Sequence, residues 1–377
     1  MMARSSHSEQ TRFNGSPHAT IGVEAELFLV DPESYDLVDA APAILSRFSG
    51  DPHVKAELLE SMIEVNTGIC EDVSAVKADL QTKIGAVASV AAEQHLGLVS
   101  MGTHPFGRWS DASVTRNDRY QGFLERMQFP VRRLLISGLH VHIGVPDGER
   151  AIAVMNGLLR YIPHFIGLSA NSPFWDGELT GLASTRMKVF EGMPTGGLPP
   201  RLTDYNQFRQ LVHTLKAAGA IHSVSEVWWD IRPHPGFGTV EIRLMDAVPS
   251  IGEMVSLAAL AQCLVVALLD DYETAQQLPL LPEWVVRENK WRGVRYGLGA
   301  EIIIDDEGKR QPLKDALAEL LARLAPVADR LGCGAELALL HEVATTGAPG
   351  DRQVSRHRAG GDLKAVVGAA MLELSRL

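Results

Sequence analysis

The amino-acid sequence predicts an α+β fold built around a mainly antiparallel β-sheet. Short segments in which apolar and polar residues alternate are interleaved with long segments of helical periodicity. Four of the alternating segments have one apolar face and one polar face, which is typical of antiparallel strands. The chain has 377 residues, of which 46% are hydrophobic and 21% charged, so it is long enough and apolar enough to bury a large core.

The predicted helices lie between and after the alternating segments. They are expected over residues 72–95 before Gly97, 147–160 before Pro163, 203–218 before Gly219, and over 254–269, 312–329 and 362–377. Ser250 and Glu253 have the spacing of a capping box in front of the apolar run over 254–269. That run is shorter than the roughly 20 residues that a membrane span needs.

The composition marks no linker between domains. Residues 1–18 are polar and lack the apolar segment of a signal peptide, so we expect them to form a disordered leader. Residues 19–377 are expected to form a single domain with a helical part from about residue 312. Three cysteines far apart in the sequence favour a reducing compartment and therefore a cytoplasmic protein.

The net charge of −11 limits the classes of partner. Nucleic acids and anionic membranes require clustered positive charge, so we expect neither as a partner. Small-molecule substrates remain, including phosphorylated ones, because local arginines or a bound cation can reverse the field within one cleft. Self-association into a homo-oligomer is left open.

The most informative pattern is the pairing of polar residues on four predicted strands. Residues 21–27, 139–143, 227–232 and 240–244 alternate, and strand geometry places their polar side chains on one face. These faces carry Glu24 with Glu26, His140 with His142, Asp230 with Arg232, and Glu241 with Arg243. A solvated face is the alternative for each strand, but such faces are usually rich in Lys, Thr, Ser and Gln, and these four pairs contain none of them.

If the four strands lie in one sheet, their polar face combines ligands for a divalent cation with guanidinium groups for phosphate. Mg²⁺ prefers carboxylate oxygens and commonly bridges to substrate phosphates, so the pattern favours a phosphoryl-transfer site. A zinc hydrolase is less well supported, since His140 and His142 form an H-x-H pair but the sequence has no H-E-x-x-H motif. P-loop and Rossmann glycine motifs are also absent from the sequence.

A further acidic group consists of Glu57, Glu60 and Glu64. On a helix, Glu57 and Glu64 are seven residues apart and share a face. The β-branched residues after Glu60 equally favour a strand in the second half, which leaves the common face open. A solvated acidic helix face is the alternative to a binding role.

Eight motifs make the sequence resemble the YbdK-type carboxylate–amine ligases, the type 2 glutamate–cysteine ligase family. They are GVEAE (22–26), ELLESMIE (57–64), GTHP (102–105), GLHVH (138–142), LSANSPFW (168–175), WDIRPH (229–234), GTVEIR (238–243) and ENKWR (288–292). Together they span nearly the whole chain. Many relatives have an acidic residue where Ala25 stands, and because Ala25 lies on the apolar face we expect that difference to affect packing.

The resemblance implies a glutamine synthetase-like catalytic domain, with helices on the outer face of a curved sheet. It also implies ATP and Mg²⁺ (or Mn²⁺) on the concave face. The implied metal ligands are five carboxylates and one imidazole: Glu24, Glu26, Glu57, Glu64, His140 and Glu241. His142 is implied to contact the nucleotide, and Arg232 and Arg243 to bind phosphate as the catalytic arginines.

The implied reaction activates a carboxylate with ATP to an acyl phosphate, which an amine then attacks to form an amide. Glutamate and cysteine, giving γ-glutamylcysteine, are the substrates that the family name implies. The alternatives are a phosphotransferase of the guanidino-kinase type and a non-catalytic ATP-binding protein. Residues 102–109, 118–120 and 352–358 are candidate lids or substrate contacts.

Overall fold

The structure is a computed structural model that describes residues 11–275 and 278–376. Among these residues the strands are β1 (Ile21–Val30), β2 (Val54–Ala56), β3 (Met62–Asn66), β4 (Gly97–Val99), β5 (Gly138–Gly144), β6 (Phe174–Trp175), β7 (Glu178–Leu179), β8 (Ile231–His234), β9 (Thr239–Asp246), β10 (Glu301–Ile303) and β11 (Arg310–Pro312). The helices are α1 (Ala41–Ser46), α2 (Val73–Glu93), α3 (Asp118–Met127), α4 (Phe129–Arg132), α5 (Gly148–Leu158), α6 (Ile162–Ser169), α7 (Thr185–Phe190), α8 (Tyr205–Ala217), α9 (Ile251–Ala275), α10 (Glu283–Tyr296), α11 (Leu313–Leu331), α12 (Gly334–Thr346), α13 (Pro349–Arg358) and α14 (Leu363–Leu374).

One seven-stranded sheet organises the molecule, and every ladder within it is antiparallel. The strand order is β2-β3-β1-β5-β9-β8, and β4 pairs with β1 beside this path. The polar pairs that the register sets directly opposite each other include Glu24 with His140, Glu26 with Glu64, His142 with Glu241, and Arg232 with Glu241. The predicted α+β class with a mainly antiparallel sheet is confirmed.

The apolar face of this sheet packs on helices. Val23 of β1, Val141 of β5 and Ile242 of β9 are buried in one cluster with Leu80 of α2 and Leu260 of α9. Helices α5 and α6 pack beside them against β8 and β9. Because strand side chains alternate, the polar residues between these apolar ones point to the opposite face, away from α2 and α9.

The predicted helix over 72–95 forms, but it ends earlier than expected. Asp72 caps its first turn, as the sequence indicates. The helix ends at Glu93, and His95 then takes the left-handed conformation (φ 58°) that reverses the chain. Gly97, predicted as the helix stop, instead begins β4, where an added Cβ would lie 2.5 Å from the Met371 sulfur of α14.

The acidic segment over residues 57–64 is a turn followed by a strand. Glu57 follows β2, and Glu64 lies within β3, where it points to the polar face. The helical interpretation of this segment is therefore wrong. The β-branched residues decide the outcome. They form β3, which pairs with β1 on one side and β2 on the other, and Ile63 and Val65 are buried in the core.

The strand predicted over 227–232 begins only at Ile231. The Asp230 N–H donates to the Gly197 carbonyl at 2.8 Å, so the segment before β8 is hydrogen-bonded to the loop that contains Gly197. The Asp230 carboxylate accepts a hydrogen bond from the Lys290 ammonium at 2.6 Å. Asp230 consequently does not share a strand face with Arg232.

Part of the predicted leader packs on the protein. Residues 1–10 lie outside the described residues. Within 11–18, the Asn14 N–H donates to the Pro235 carbonyl at 2.9 Å, and the carbonyl of the buried Thr11 accepts from the Tyr205 hydroxyl at 2.7 Å. The packed chain therefore extends in front of the predicted boundary at residue 18.

Two helical stretches, 148–169 and 251–275, are long and apolar enough to cross a membrane by length and composition alone. The second is longer than the apolar run over 254–269 on which the sequence prediction relied. Their most apolar windows are 89% and 83% buried within the fold, so both are core helices in this structure.

Candidate active site

Two clusters of ligand-type side chains lie on the polar face of the sheet. The first, which we name the His140 cluster, consists of Glu24 (β1), His140 (β5) and Glu241 (β9). One ligand atom of each residue lies within 4.8 Å of the others, and His140 Nδ1 is 3.2 Å from a Glu24 oxygen. Three adjacent strands present these residues on the same face, so the sheet register itself assembles the cluster.

Cations surround the His140 cluster. Arg232 donates to both oxygens of Glu241, at 2.7 and 3.2 Å, and Arg243 donates to one of them. His142 Nε2 lies 3.4 Å from Glu24 and 3.8 Å from Glu241. Burial by itself raises the pKa of Glu241, but the charges of Arg232 and Arg243 outweigh burial and hold that pKa well below its usual range.

The protonation states of this cluster suit a cation. Burial raises the pKa of Glu24, but contacts with the His140 and His142 rings outweigh it and hold the pKa well below its usual range. Burial, reinforced by the charge of Arg243, lowers the pKa of His140 to about 4. Carboxylates and a neutral imidazole, the forms that bind metal ions, are therefore the forms present at neutral pH.

The second group, which we name the Glu57 cluster, consists of Glu26 (β1), Glu57 (the turn after β2) and Glu64 (β3). One carboxylate oxygen of each lies within 4.8 Å of the others. Glu26 accepts a hydrogen bond from the Gly138 N–H at 2.5 Å, and Glu64 accepts one from the Asn66 side chain at 2.7 Å. Glu57 accepts one from the Leu58 N–H at 3.0 Å, so backbone and amide dipoles orient all three carboxylates.

The Glu57 cluster is less well compensated than the His140 cluster. Burial raises the pKa of Glu57 well above its usual range, and the charges of Glu26 and Glu64 raise it further. Burial also raises the pKa of Glu26, against the opposing charge of Arg186. Lys55 lies 3.5 Å from Glu64, but its side chain is 48% exposed. A bound divalent cation would relieve this repulsion.

Both clusters border one cavity of about 360 Å³. Its cationic lining residues are Lys55, Arg119, Arg186, Arg232 and Arg243. Its apolar and aromatic wall is formed by Leu58, Met62, Tyr120, Phe123, Val131, Leu134, Ile136, Phe190 and Trp228. The cavity therefore combines an acidic floor, several cations and an apolar, aromatic wall.

The structure brings the six predicted metal ligands together as two groups of three, and Glu60 belongs to neither. Arg232 is placed differently from the expectation for a phosphate ligand. Besides its bonds to Glu241, its Nη1 donates to the carbonyls of Ser225 and Val227 at 2.9 and 2.7 Å. Most of its donors are thus used within the protein. The metal and phosphate roles themselves stay predictions.

Sequence reasoning missed Arg186, which is 2% exposed and lines the cavity from α7. Its Nη2 lies 3.5 Å from His140 Nε2. The six residues of α7 show no strand alternation, and a basic residue after the N-cap Ser184 is too common to indicate a site. No signal in the sequence places this helix beside the sheet.

Of the three candidate lids, the segment over 118–120 lines the cavity, through Arg119 and Tyr120. In the segment over 102–109, His104 binds the Tyr35 carbonyl at 2.9 Å. In the segment over 352–358, Arg352 forms ion pairs with two glutamates outside the cavity. We therefore assign structural contacts to the second and third segments.

Residues 20–369 match the model of the family described as glutamate-cysteine ligase family 2. A Thermobifida fusca protein named "Putative glutamate--cysteine ligase 2" is 46% identical over 367 residues, which cover 96% of this chain and 92% of that protein. A Frankia alni protein named "Putative glutamate--cysteine ligase 2-1" is 44% identical over 374 residues, which cover 97% and 98%.

Solved structures share the fold at low sequence identity. The glutamate–cysteine ligase of Francisella tularensis in complex with AMP has a TM-score of 0.70 at 12% identity, over 97% of this chain and 90% of that chain. The bifunctional glutathione synthetase of Pasteurella multocida has a TM-score of 0.68 at 13% identity, over 94% and 52%. The family match over most of the sequence, together with relatives at 46% and 44% identity, leads to one conclusion: the chain belongs to glutamate–cysteine ligase family 2.

Proposed function

We propose that this protein is an ATP-dependent ligase that joins a carboxylate to an amine through an acyl phosphate. One observation carries the proposal: two three-residue ligand clusters lie on one sheet face and border one cavity that arginines also line. Carboxylate oxygens suit Mg²⁺, and guanidinium groups suit phosphate. Membership of glutamate–cysteine ligase family 2 supports the same reaction class.

The donor sets fit Mg²⁺ or Mn²⁺, since five of the six ligands are carboxylates. One ion would be held by Glu24, His140 and Glu241, and another by Glu26, Glu57 and Glu64. When bound, such ions polarise the phosphates of ATP and offset the charge that develops during transfer.

The chain's own residues prepare this site in two ways. Arg232 and Arg243 fix the Glu241 carboxylate in place before any ligand arrives, so no reorganisation is needed at the moment of reaction. The aromatic wall, which includes Phe123 and Trp228, shields the cavity from water that would hydrolyse an acyl phosphate.

We propose glutamate and cysteine as the substrates and γ-glutamylcysteine as the product, on the strength of the relatives' names. We further propose that residues 19–377 belong to one catalytic domain, against which residues 11–18 also pack, and that the protein is cytoplasmic. The three unpaired, buried cysteines and the net charge of −11 support small-molecule partners in a reducing compartment.

The test is incubation of the purified protein with ATP, glutamate and cysteine, in Mg²⁺ or Mn²⁺, with a panel of other amino-acid carboxylates and amines alongside. We expect ADP, phosphate and an amide in equal amounts. Glu26→Gln should abolish all three, whereas Glu60→Gln, outside both clusters, should not. A phosphorylated acceptor without an amide would replace the proposal with a guanidino-kinase-type phosphotransferase. Nucleotide binding with no turnover on the panel would replace it with an ATP-binding protein.

A further inference from the structure

Arg186 is a buried cation whose guanidinium forms no direct ion pair, although the charges of Asp246 and Glu26 act on it from farther away. It is 2% exposed, and the described part of the chain offers its guanidinium no ion pair within 4.0 Å. Its Nη2 donates to the Arg243 carbonyl at 3.2 Å, its Nη1 reaches only the Met187 sulfur at 3.8 Å, and its Nε has no partner. The Phe190 ring lies 5.7 Å away. Burying a charge in this way is costly unless a ligand completes its contacts.

Arg232 provides the contrast within the same cavity. It is similarly buried, at 5% exposed, yet it binds both oxygens of Glu241 and two backbone carbonyls. An arginine with a purely structural role has its donors used in this way. The guanidinium donors of Arg186 that have no partner in the protein therefore indicate that a ligand binds there.

The surroundings hold Arg186 in its position. The backbone N–H of Arg186 donates to the Ser172 hydroxyl at 3.0 Å. Asp246 in turn accepts from the hydroxyls of Ser172 and Ser184, at 2.6 and 2.8 Å. Gly138 leaves the space that the guanidinium occupies, because a side chain there would overlap its Nη2. The position is thus built by three separate segments of the chain.

The location of Arg186 defines the ligand. Its Nη2 lies against His140 of one cluster and beside Gly138, whose N–H donates to Glu26 of the other. A phosphoryl group has three oxygens with which to bridge two cation sites and also accept from a planar guanidinium. We propose that Arg186 contacts the terminal phosphoryl group of ATP as it is transferred, and so is a catalytic residue. This inference rests on the proposed function.

The experiment measures nucleotide binding as well as turnover. Arg186→Gln and Arg186→Lys are compared with the wild type by calorimetry with Mg²⁺ and either ADP or the β,γ-imido analogue of ATP. Lys188→Gln is the matched control, because Lys188 lies on the same helix but is 45% exposed and pairs with Glu191. Thermal unfolding of each protein is measured in parallel.

We expect Arg186→Gln to weaken binding of the imido analogue about tenfold or more and to lower turnover about a hundredfold. ADP affinity should change less than twofold, and Arg186→Lys should give intermediate values. The melting temperature of Arg186→Gln should stay close to that of the wild type, because loss of the attraction between Arg186 and Asp246 offsets the removal of a buried charge.

Three results would overturn the inference. They are equal weakening of both nucleotides, a raised KM for the carboxylate with unchanged analogue binding, and a melting temperature several degrees lower that accounts for the loss of turnover. Failure of the wild type to bind any nucleotide would instead overturn the proposed function, so the two failures are distinguishable.

Discussion

The two ligand clusters share one sheet face but differ in their charge balance. Around the His140 cluster, Arg232, Arg243 and His142 approach the carboxylates of Glu24 and Glu241. In the Glu57 cluster three carboxylates face one another, and the exposed Lys55 lies at 3.5 Å from one of them. The first cluster is therefore organised before a metal binds, whereas the second depends on the metal for its balance.

This difference separates two contributions of an acidic residue to an enzyme. A carboxylate that already holds arginines contributes to the fold as well as to the site. A carboxylate held close to other carboxylates destabilises the fold, and its contribution is to bind the ligand, as with many functional groups. Substitutions in the two clusters should therefore have opposite effects on stability and the same effect on activity.

The largest effect is expected for Glu241→Gln. Glu241 is fully buried, and loss of its charge leaves Arg232 and Arg243 without their partner. Removing one member of a buried ion pair costs about 3–5 kcal/mol of unfolding free energy. Urea denaturation in the presence of a chelator should show this loss, together with no ligase activity. Unchanged stability would contradict the view that the arginines depend on Glu241.

Glu57→Gln should abolish activity and yet stabilise the metal-free protein. Relief of like-charge repulsion at about 4 Å is worth about 1 kcal/mol at the dielectric of water and about 4 kcal/mol at that of a protein surface. In thermal unfolding, added Mg²⁺ should raise the melting temperature of the wild type more than that of the variant. Glu60→Gln serves as the control and should behave as the wild type. Destabilisation as large as that of Glu241→Gln would refute the contrast between the clusters.

Gly138→Ala should have an intermediate effect, because the added methyl group displaces the Arg186 guanidinium from between the clusters. We expect a loss of turnover of about tenfold, comparable to a misplaced positioning group. Gly122→Ala is the matched control, since its side chain would meet open space on α3. Equal turnover in the two variants would show that the position of Arg186 does not matter.

Lys55→Gln should have the smallest effect. The Lys55 side chain is half exposed and lies 3.5 Å from Glu64, and ion pairs with such an exposed partner contribute about 0–1 kcal/mol. We expect a change in unfolding free energy of less than about 0.5 kcal/mol and no loss of maximal activity. A large loss of activity at saturating Mg²⁺ would show that Lys55 contacts a substrate.

The strands were the predictable part of this molecule. In β1, β5 and β9 each polar residue alternates with an apolar one, so a local pattern already states which side chains share a face. The pairing of Arg232 with Glu241 was not predictable, because it depends on which residue lies opposite on the neighbouring strand. The short helix that carries Arg186 was harder still, since tertiary packing alone brings it to the sheet.

Turns and helix ends were less predictable from the sequence than the strands and more predictable than the position of the short helix. The caps at Asp72 and Asp204 follow from local chemistry, because each carboxylate accepts from a backbone N–H in the first turn of its helix. The segment from Glu57 to Glu64 has both helical spacing and β-branched residues, and its strand forms because β1 and β2 offer partners on either side. Local propensity did not contain that information.

The sheet order also has a consequence for biosynthesis. Glu24 and His140, which meet across β1 and β5, are 116 residues apart, and Glu241 joins them from a still later segment. Until residue 241 has left the ribosome, β5 has an unpaired edge, and its residues, which are buried in the folded protein, are exposed there. Contacts between such distant segments also form slowly. The nascent chain therefore has a long interval in which β5 can pair with another chain, and chaperone dependence should increase when translation pauses before β9.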